Sequence, residues 1–281
     1  MTPSSRPRTV ALLLAKELRD AWRNRWFLLF AAAFTLLAVG LCWLSVSGVA
    51  RSGYASLGRT AGSLVGLVLL MVPLMGLTLG AHAIAGERER GALLYLLAQP
   101  LDAFDVVAAK FLGLASAVAA ALLLGFGIAA MALSGQASAG QLAPFLSFLA
   151  LSLLLATAMV ATGLLLSALA SRAAVAAGLA LFAWLGLVLG SDLGLMGTAL
   201  VMRLDASSLL GLALVNPLQV FKVAAVLVLR GGLEALGPAG LYATTTWGAA
   251  LPPALAAILI AWTVLPLLAT GWLLRRRGGV P

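Results

Sequence analysis

A single cysteine, Cys42, and a single histidine, His82, stand among 281 residues. One thiol forms no intrachain disulfide and completes no cysteine-rich metal site, so cysteine usage is silent on redox compartment. Charge is scarce too. Only 10% of the chain is Asp, Glu, Lys or Arg against 63% hydrophobic residues, and the mean hydropathy is +1.10. That is too little polar surface to cover a soluble domain of this size. The patterns G-x-x-x-x-G-K-[ST], G-x-S-x-G, H-E-x-x-H and C-x-x-C are all missing, so neither nucleotide hydrolysis nor zinc chemistry can be assigned to this chain. The lone His82 reads as an interfacial hydrogen-bonding residue, not a base. The formal net charge of +9 could suggest nucleic acid, but the basic residues sit at the edges of apolar runs and form no stripe interleaved with aromatics. Anchoring against anionic lipid headgroups explains them better, and no nucleic-acid partner is expected.

What the chain has in abundance is apolar runs of membrane-crossing length. Residues 1–26 read as a tail followed by an amphipathic interface helix from Arg8 to Trp26. Ala11, Leu14, Ala15, Leu18, Trp22 and Trp26 fall on one face, and Lys16, Arg19, Asp20 and Arg23 on the other. Residues 27–274 then form a six-span domain, with spans at about 27–47, 61–85, 106–133, 142–169, 173–190 and 252–274. Each approaches the ~20 residues needed to cross ~30 Å of hydrocarbon. Pro73 should kink the second span, while Gly58, Gly62 and Gly66, then Gly76 and Gly80, recur every fourth residue as in closely packed helices. Residues 86–105 form a charged loop, 191–251 a long mixed region, and 275–281 a basic tail. Within the mixed region, Val220 to Leu229 is too short to span. It reads as a helix on the outer surface or tucked between span ends, with a re-entrant hairpin or a seventh crossing as the alternative.

Six spans put both termini on one side. Thirteen of the 18 Lys and Arg residues fall on that side, counting Lys110 with the charged loop, and five on the other. The positive-inside rule therefore places the termini and the loop in the cytoplasm of a multi-pass inner (plasma) membrane protein, with 191–251 outside.

Two groups of residues could carry function. Met71, Met75 and His82 lie four and seven residues apart on the second span, a soft ligand set that suits Cu(I), although methionine is a common apolar filler and packing is the better explanation. In the loop, Glu87, Arg88, Glu89 and Arg90 end the second span and Gly91 permits a sharp turn. Residues 92–98 can then form two helical turns before Pro100 ends them. Leu93, Leu94 and Leu97 give that short helix an apolar surface that wants a groove on a partner. Asp102 and Asp105 flank the next helix start, where acidic side chains favour the positive end of the dipole.

The run ERERGALLYLLAQPL, followed by AAKFLG at 108–113, resembles the E-x-E-x-G-[TA]-L-x-x-L-L-x-x-P signature of ABC-2 type permeases. KELRDAWRNRWFLL at 16–29, GYASLGRTAGSLVGLVLLMVPLMGLTLG at 53–80 and NPLQVFK at 216–222 are similar to the NosY-type branch, which serves nitrous oxide reductase maturation. Glu87, Glu89, Gly91 and Pro100 match the motif, while Ala92 stands where Thr is common. The resemblance implies an all-α integral membrane protein of the ABC-2, type V exporter-like kind: six transmembrane helices, an N-terminal interface helix and a cytoplasmic coupling helix. It also implies a homodimer bound to two cytoplasmic ATPase subunits, which would hold ATP and Mg, with no cofactor in this chain. A periplasmic copper-maturation protein would dock on the outer side. The competing readings are an ABC-2 exporter of an unrelated apolar cargo and an ATP-independent transporter or scaffold.

Overall fold

The computed structural model describes residues 6–46, 55–91, 102–133, 142–202, 206–230 and 243–277. Among them every regular element is helical: α1 (Arg6–Arg23), α2 (Arg25–Val46), α3 (Ala55–Glu89), α4 (Ala103–Leu133), α5 (Leu142–Leu169), α6 (Ala173–Met202), α7 (Ala206–Val215), α8 (Pro217–Arg230) and α9 (Leu251–Arg277). Helical residues 243–247 and a short 3₁₀ turn, Gly248–Ala250, lead into α9. Helix is the form in which an apolar segment satisfies its own backbone without water. Six elements, α2, α3, α4, α5, α6 and α9, contain stretches long and apolar enough to cross a membrane. The charged loop's short helix, with Leu93, Leu94, Leu97 and Pro100, lies outside the described residues.

The first boundary is set by Asn24. Its side-chain oxygen accepts from the backbone N–H groups of Trp26 (3.0 Å) and Phe27 (3.4 Å), so α1 stops at Arg23 and Trp26 belongs to α2. This N-cap satisfies donors that a helix start leaves orphaned. The burial pattern of α1 adds a protein-facing stripe to the amphipathic reading. Leu13, Glu17 and Ala21 face the protein, with Leu14 and Leu18 at the edge, while Ala11, Ala15 and Trp22 are exposed. The buried stripe is thus centred on a carboxylate, because the neighbouring helix supplies a cation for it.

At the centre, α3 and α5 cross with almost no side chain between them. A Cβ at Gly80 would stand 2.6 Å from the Val160 carbonyl oxygen, and one at Gly163 would stand 2.6 Å from the Leu77 carbonyl oxygen. Gly76 meets Met159 in the same way at 2.8 Å. The close approach expected of the small-residue spacing is present at Gly76 and Gly80, but Gly66 has nothing within 4 Å. Helix α3 runs on through Pro73, which removes one intrahelical N–H donor. One turn earlier, the Trp184 indole N–H of α6 donates to the Leu70 carbonyl at 3.2 Å.

Farther along, a row of rings crosses four helices. Phe34 of α2 packs edge-on to Phe126 of α4 (5.2 Å), Phe126 packs on Phe148 of α5 (5.6 Å), and Phe148 meets Phe221 of α8 (5.9 Å). Phe221 belongs to the stretch that the sequence left undecided. Helices α7 and α8 meet at a 114° bend around Asn216, and together they are long and apolar enough for a broken span or re-entrant loop. Val220, Phe221 and Ala225 are fully buried, so α8 is tucked among the spans and does not lie on an outer surface. Asn216 makes the bend: its Oδ1 accepts from Leu218 N (2.9 Å), its Nδ2 donates to the Leu187 carbonyl of α6 (2.8 Å), and Pro217 takes the first helical position.

Candidate functional site

The end of α3 carries the run Glu87-Arg88-Glu89-Arg90, and each residue addresses a different element. Glu87 points inward and is 6% exposed. Its Oε1 accepts from Lys16 Nζ of α1 at 2.6 Å, and its Oε2 lies 2.7 Å from Lys110 Nζ of α4, an ionic contact out of hydrogen-bond alignment. Lys110 is 1% exposed and also donates to Glu17 Oε1 of α1 (2.7 Å) and to the Ala83 carbonyl (3.1 Å). Two lysines and two glutamates balance to zero net charge, which is the condition for ions to persist away from water. Burial works to lower the Lys16 pKa, but the hydrogen bond and charge of Glu87, then Glu17 and Asp20, outweigh it and hold the ammonium above its usual range.

Arg88 turns the other way. Its guanidinium donates to the carbonyls of Ala168 and Ala170, at the C-terminus of α5 where carbonyls lack intrahelical donors. Glu89 Oε2 accepts from the Ala173 N–H at 3.1 Å, at the N-terminus of α6. One cation at a helix C-terminus and one anion at a helix N-terminus each complement the dipole they face. Arg90 folds back onto the Gly86 carbonyl through Nε (3.0 Å), and Gly91 has φ +73°, the left-handed geometry that ends a helix. Just before this run, buried Ser167 of α5 donates to the Ala81 carbonyl (2.5 Å) and accepts from the N–H groups of Ile84 (3.0 Å) and Ala85 (2.8 Å).

The far foot of the loop is held as well. Asp102 caps α4, with Asp105 Oδ2 accepting from the Asp102 N–H (3.3 Å), and its carboxylate pairs with Arg275 near the end of α9. The Arg275 guanidinium also sits 4.7 Å over the Phe104 ring. The hydrogen bond from Arg275 holds the Asp102 carboxyl below its usual range.

Of the interface-helix residues, Lys16 joins the network, Arg19 and Arg23 are exposed, and Trp22 packs edge-on to Phe27 (6.0 Å). Lys16, Arg23, His82 and Arg90 line a crevice of about 450 Å³ between α1 and α3. The three soft-ligand candidates occupy unlike surroundings. Met75 is sealed in the core, Met71 packs at its edge, and His82 is exposed with Nδ1 2.7 Å from the Thr78 carbonyl. Among the described residues, no cluster of three or more His, Cys, Asp or Glu could hold a metal ion.

Glu17 and Lys110 were absent from the candidates read from the sequence. Counting Lys110 as a loop charge is corrected here: it sits within α4, inside an apolar stretch of spanning length, and is fully enclosed. The available signal was a lone cation in an apolar run, which ordinarily demands a buried partner.

Residues 11–278 of the sequence match the family described as ABC-2 family transporter protein. The chain belongs to the ABC-2 transporter family. As an ABC-2 permease subunit it implies an ABC ATPase partner. The chain is similar to the probable ABC transporter permease protein NosY of Stutzerimonas stutzeri, 34% identical over 271 residues covering 93% of this chain and 96% of that protein. It is similar also to the protein of the same description from Pseudomonas aeruginosa, 35% identical over 268 residues with the same coverage.

Proposed function

We propose that this ABC-2 permease works as a homodimer with two cytoplasmic ATPase subunits, and that residues 86–105 receive the ATP-driven movement of those subunits. ATP and Mg would be bound by the partner. The observation that carries the reading is the division of contacts at the end of α3: Glu87 to α1 and α4, Arg88 to α5, Glu89 to α6. Through these contacts a displacement of one short loop reaches four helices together. Helix α5 then leads across the molecule, because Ala170 near Arg88 and Phe148 beside Phe221 are separated by ~33 Å at 1.5 Å per residue. The far end of that lever is the α7–α8 bend.

The finer reading is that the complex serves copper-enzyme maturation, specifically of nitrous oxide reductase, by transmitting movement to a periplasmic partner on the 191–251 side. Similarity to the two NosY proteins supports it. Co-expression with candidate ABC ATPase subunits tests the core of the proposal. An ATPase should copurify with the wild type, and Glu87→Ala with Glu89→Ala should impair maturation. Absence of any copurifying ATPase, together with full maturation by the double variant, would overturn it.

A further inference from the structure

Lys110 has a geometry that load transfer through the loop alone leaves unexplained. Its ammonium lies 2.7 Å from Glu17 on α1, 2.7 Å from Glu87 on α3 and 3.1 Å from the Ala83 carbonyl of α3. One turn along α4, Gly113 admits the α1 backbone: a Cβ there would stand 2.6 Å from Glu17 Cβ and 3.0 Å from the Leu14 carbonyl oxygen. The interface helix is therefore seated at backbone distance on α4 and fastened by an ion with no access to water. Lys16 differs, since its side chain is 47% exposed and it ties α1 to Glu87 from the rim.

We propose that Lys110 is a positioning residue that locks the interface helix to the loop-bearing end of α3, so that α1, α3 and α4 move as one block when the loop is displaced. The inference deepens the coupling reading above and rests on it. Three physical points support it. The four charges cancel, so the lock needs no external counter-ion. A compact ammonium can donate to Glu17 Oε1 and the Ala83 carbonyl and still stand in ionic contact with Glu87 Oε2, so it joins two other helices at once. Buried ion pairs add little net stability over apolar replacements of similar volume, so fixing one arrangement is the role put to the test.

The informative variant is Glu17→Gln with Lys110→Met. It deletes the tether and removes one cation together with one anion, so Lys16 stays paired with Glu87 Oε1 and the net charge is unchanged, while Glu87 Oε2 gives up its contact with Lys110. In a Cys42→Ser background, nitroxide labels at Arg19→Cys on α1 and Leu112→Cys on α4 report the distance between the helices. A maleimide-reactive Val215→Cys at the α7–α8 bend reports movement at the far end. All measurements use the complex with its copurified ATPase, with and without ATP.

The wild type should give one narrow distance distribution in both states and an ATP-dependent change in labelling at position 215. The double variant should copurify equally well, broaden the distribution at least twofold and diminish the labelling change at least fivefold. Gly66→Ala on α3, remote from the network and with nothing within 4 Å of the added Cβ, should leave both readouts near wild type. A double variant with a narrow distribution and an intact labelling response overturns the lock. So does a Gly66→Ala variant as impaired as the double. If the double variant fails to copurify, Glu17→Leu alone, which leaves Lys110 beside Glu87, should broaden the distribution, and a narrow one overturns the lock. If the wild type itself shows no ATP-dependent labelling, the coupling reading fails, and the distance measurement still judges the tether.

Discussion

Replacing Gly80 by alanine places one methyl group in the crossing of α3 and α5. The new carbon would lie 2.6 Å from the Val160 carbonyl oxygen and 2.9 Å from both Gly163 C and Leu164 N, all backbone atoms that cannot rotate away. Ordinary contact begins at 3.4 Å, so the helices must part locally by about 0.8 Å. Forcing a methylene-sized group into a packed interior costs roughly 1–3 kcal/mol. Gly66→Ala on the same helix is the matched control, since nothing lies within 4 Å of its Cβ position. There the gain in helix propensity of about 0.5–1 kcal/mol should emerge unopposed. Equilibrium unfolding in mixed micelles titrated with denaturing detergent measures both. Both substitutions share the propensity gain, so Gly80→Ala should be less stable than Gly66→Ala by the overpacking cost, roughly 1–3 kcal/mol. Equal stability of the two variants would refute the backbone-to-backbone crossing.

Other contacts give sharper local tests. Ser167→Ala removes a hydroxyl that serves three backbone groups of α3 and should cost about 1–3 kcal/mol by the same unfolding assay, because buried groups lose a partner. Asp102 has a lowered pKa through its hydrogen bond from Arg275, so its contribution is complete above its usual pKa and is lost as pH falls through the depressed folded value. The difference in thermal stability between wild type and Asp102→Asn should accordingly hold constant from neutral pH to about pH 4 and shrink only below it.

The long spans were legible because twenty apolar residues in a row admit one solution in a bilayer, and α4 and α5 coincide closely with their apolar runs. Asn216-Pro217 was legible in principle as a helix start, yet nothing in a linear reading tells whether α8 lies on a surface or among the spans; that depends on Phe221 meeting Phe148. Glu17 escaped because helical periodicity groups residues by type, and a carboxylate on the buried face looks like an error until its cation is found 93 residues away. The motif residues Glu87, Arg88 and Glu89 were easily noticed as a charged run. Their inward division among α1, α4, α5 and α6 was not, since adjacent side chains project in different directions around a helix and each partner comes from a distant segment.

The central claim is that the loop after α3 is the place where a partner ATPase acts on this permease. Leu94→Cys in a Cys42→Ser background, combined with a homobifunctional thiol crosslinker and the copurified ATPase, tests it most directly. The account predicts a crosslinked permease–ATPase species from position 94 whose yield changes between nucleotide-free and ATP-bound states, and none from Val215→Cys at the α7–α8 bend. Crosslinking from position 215 with none from position 94 would contradict it.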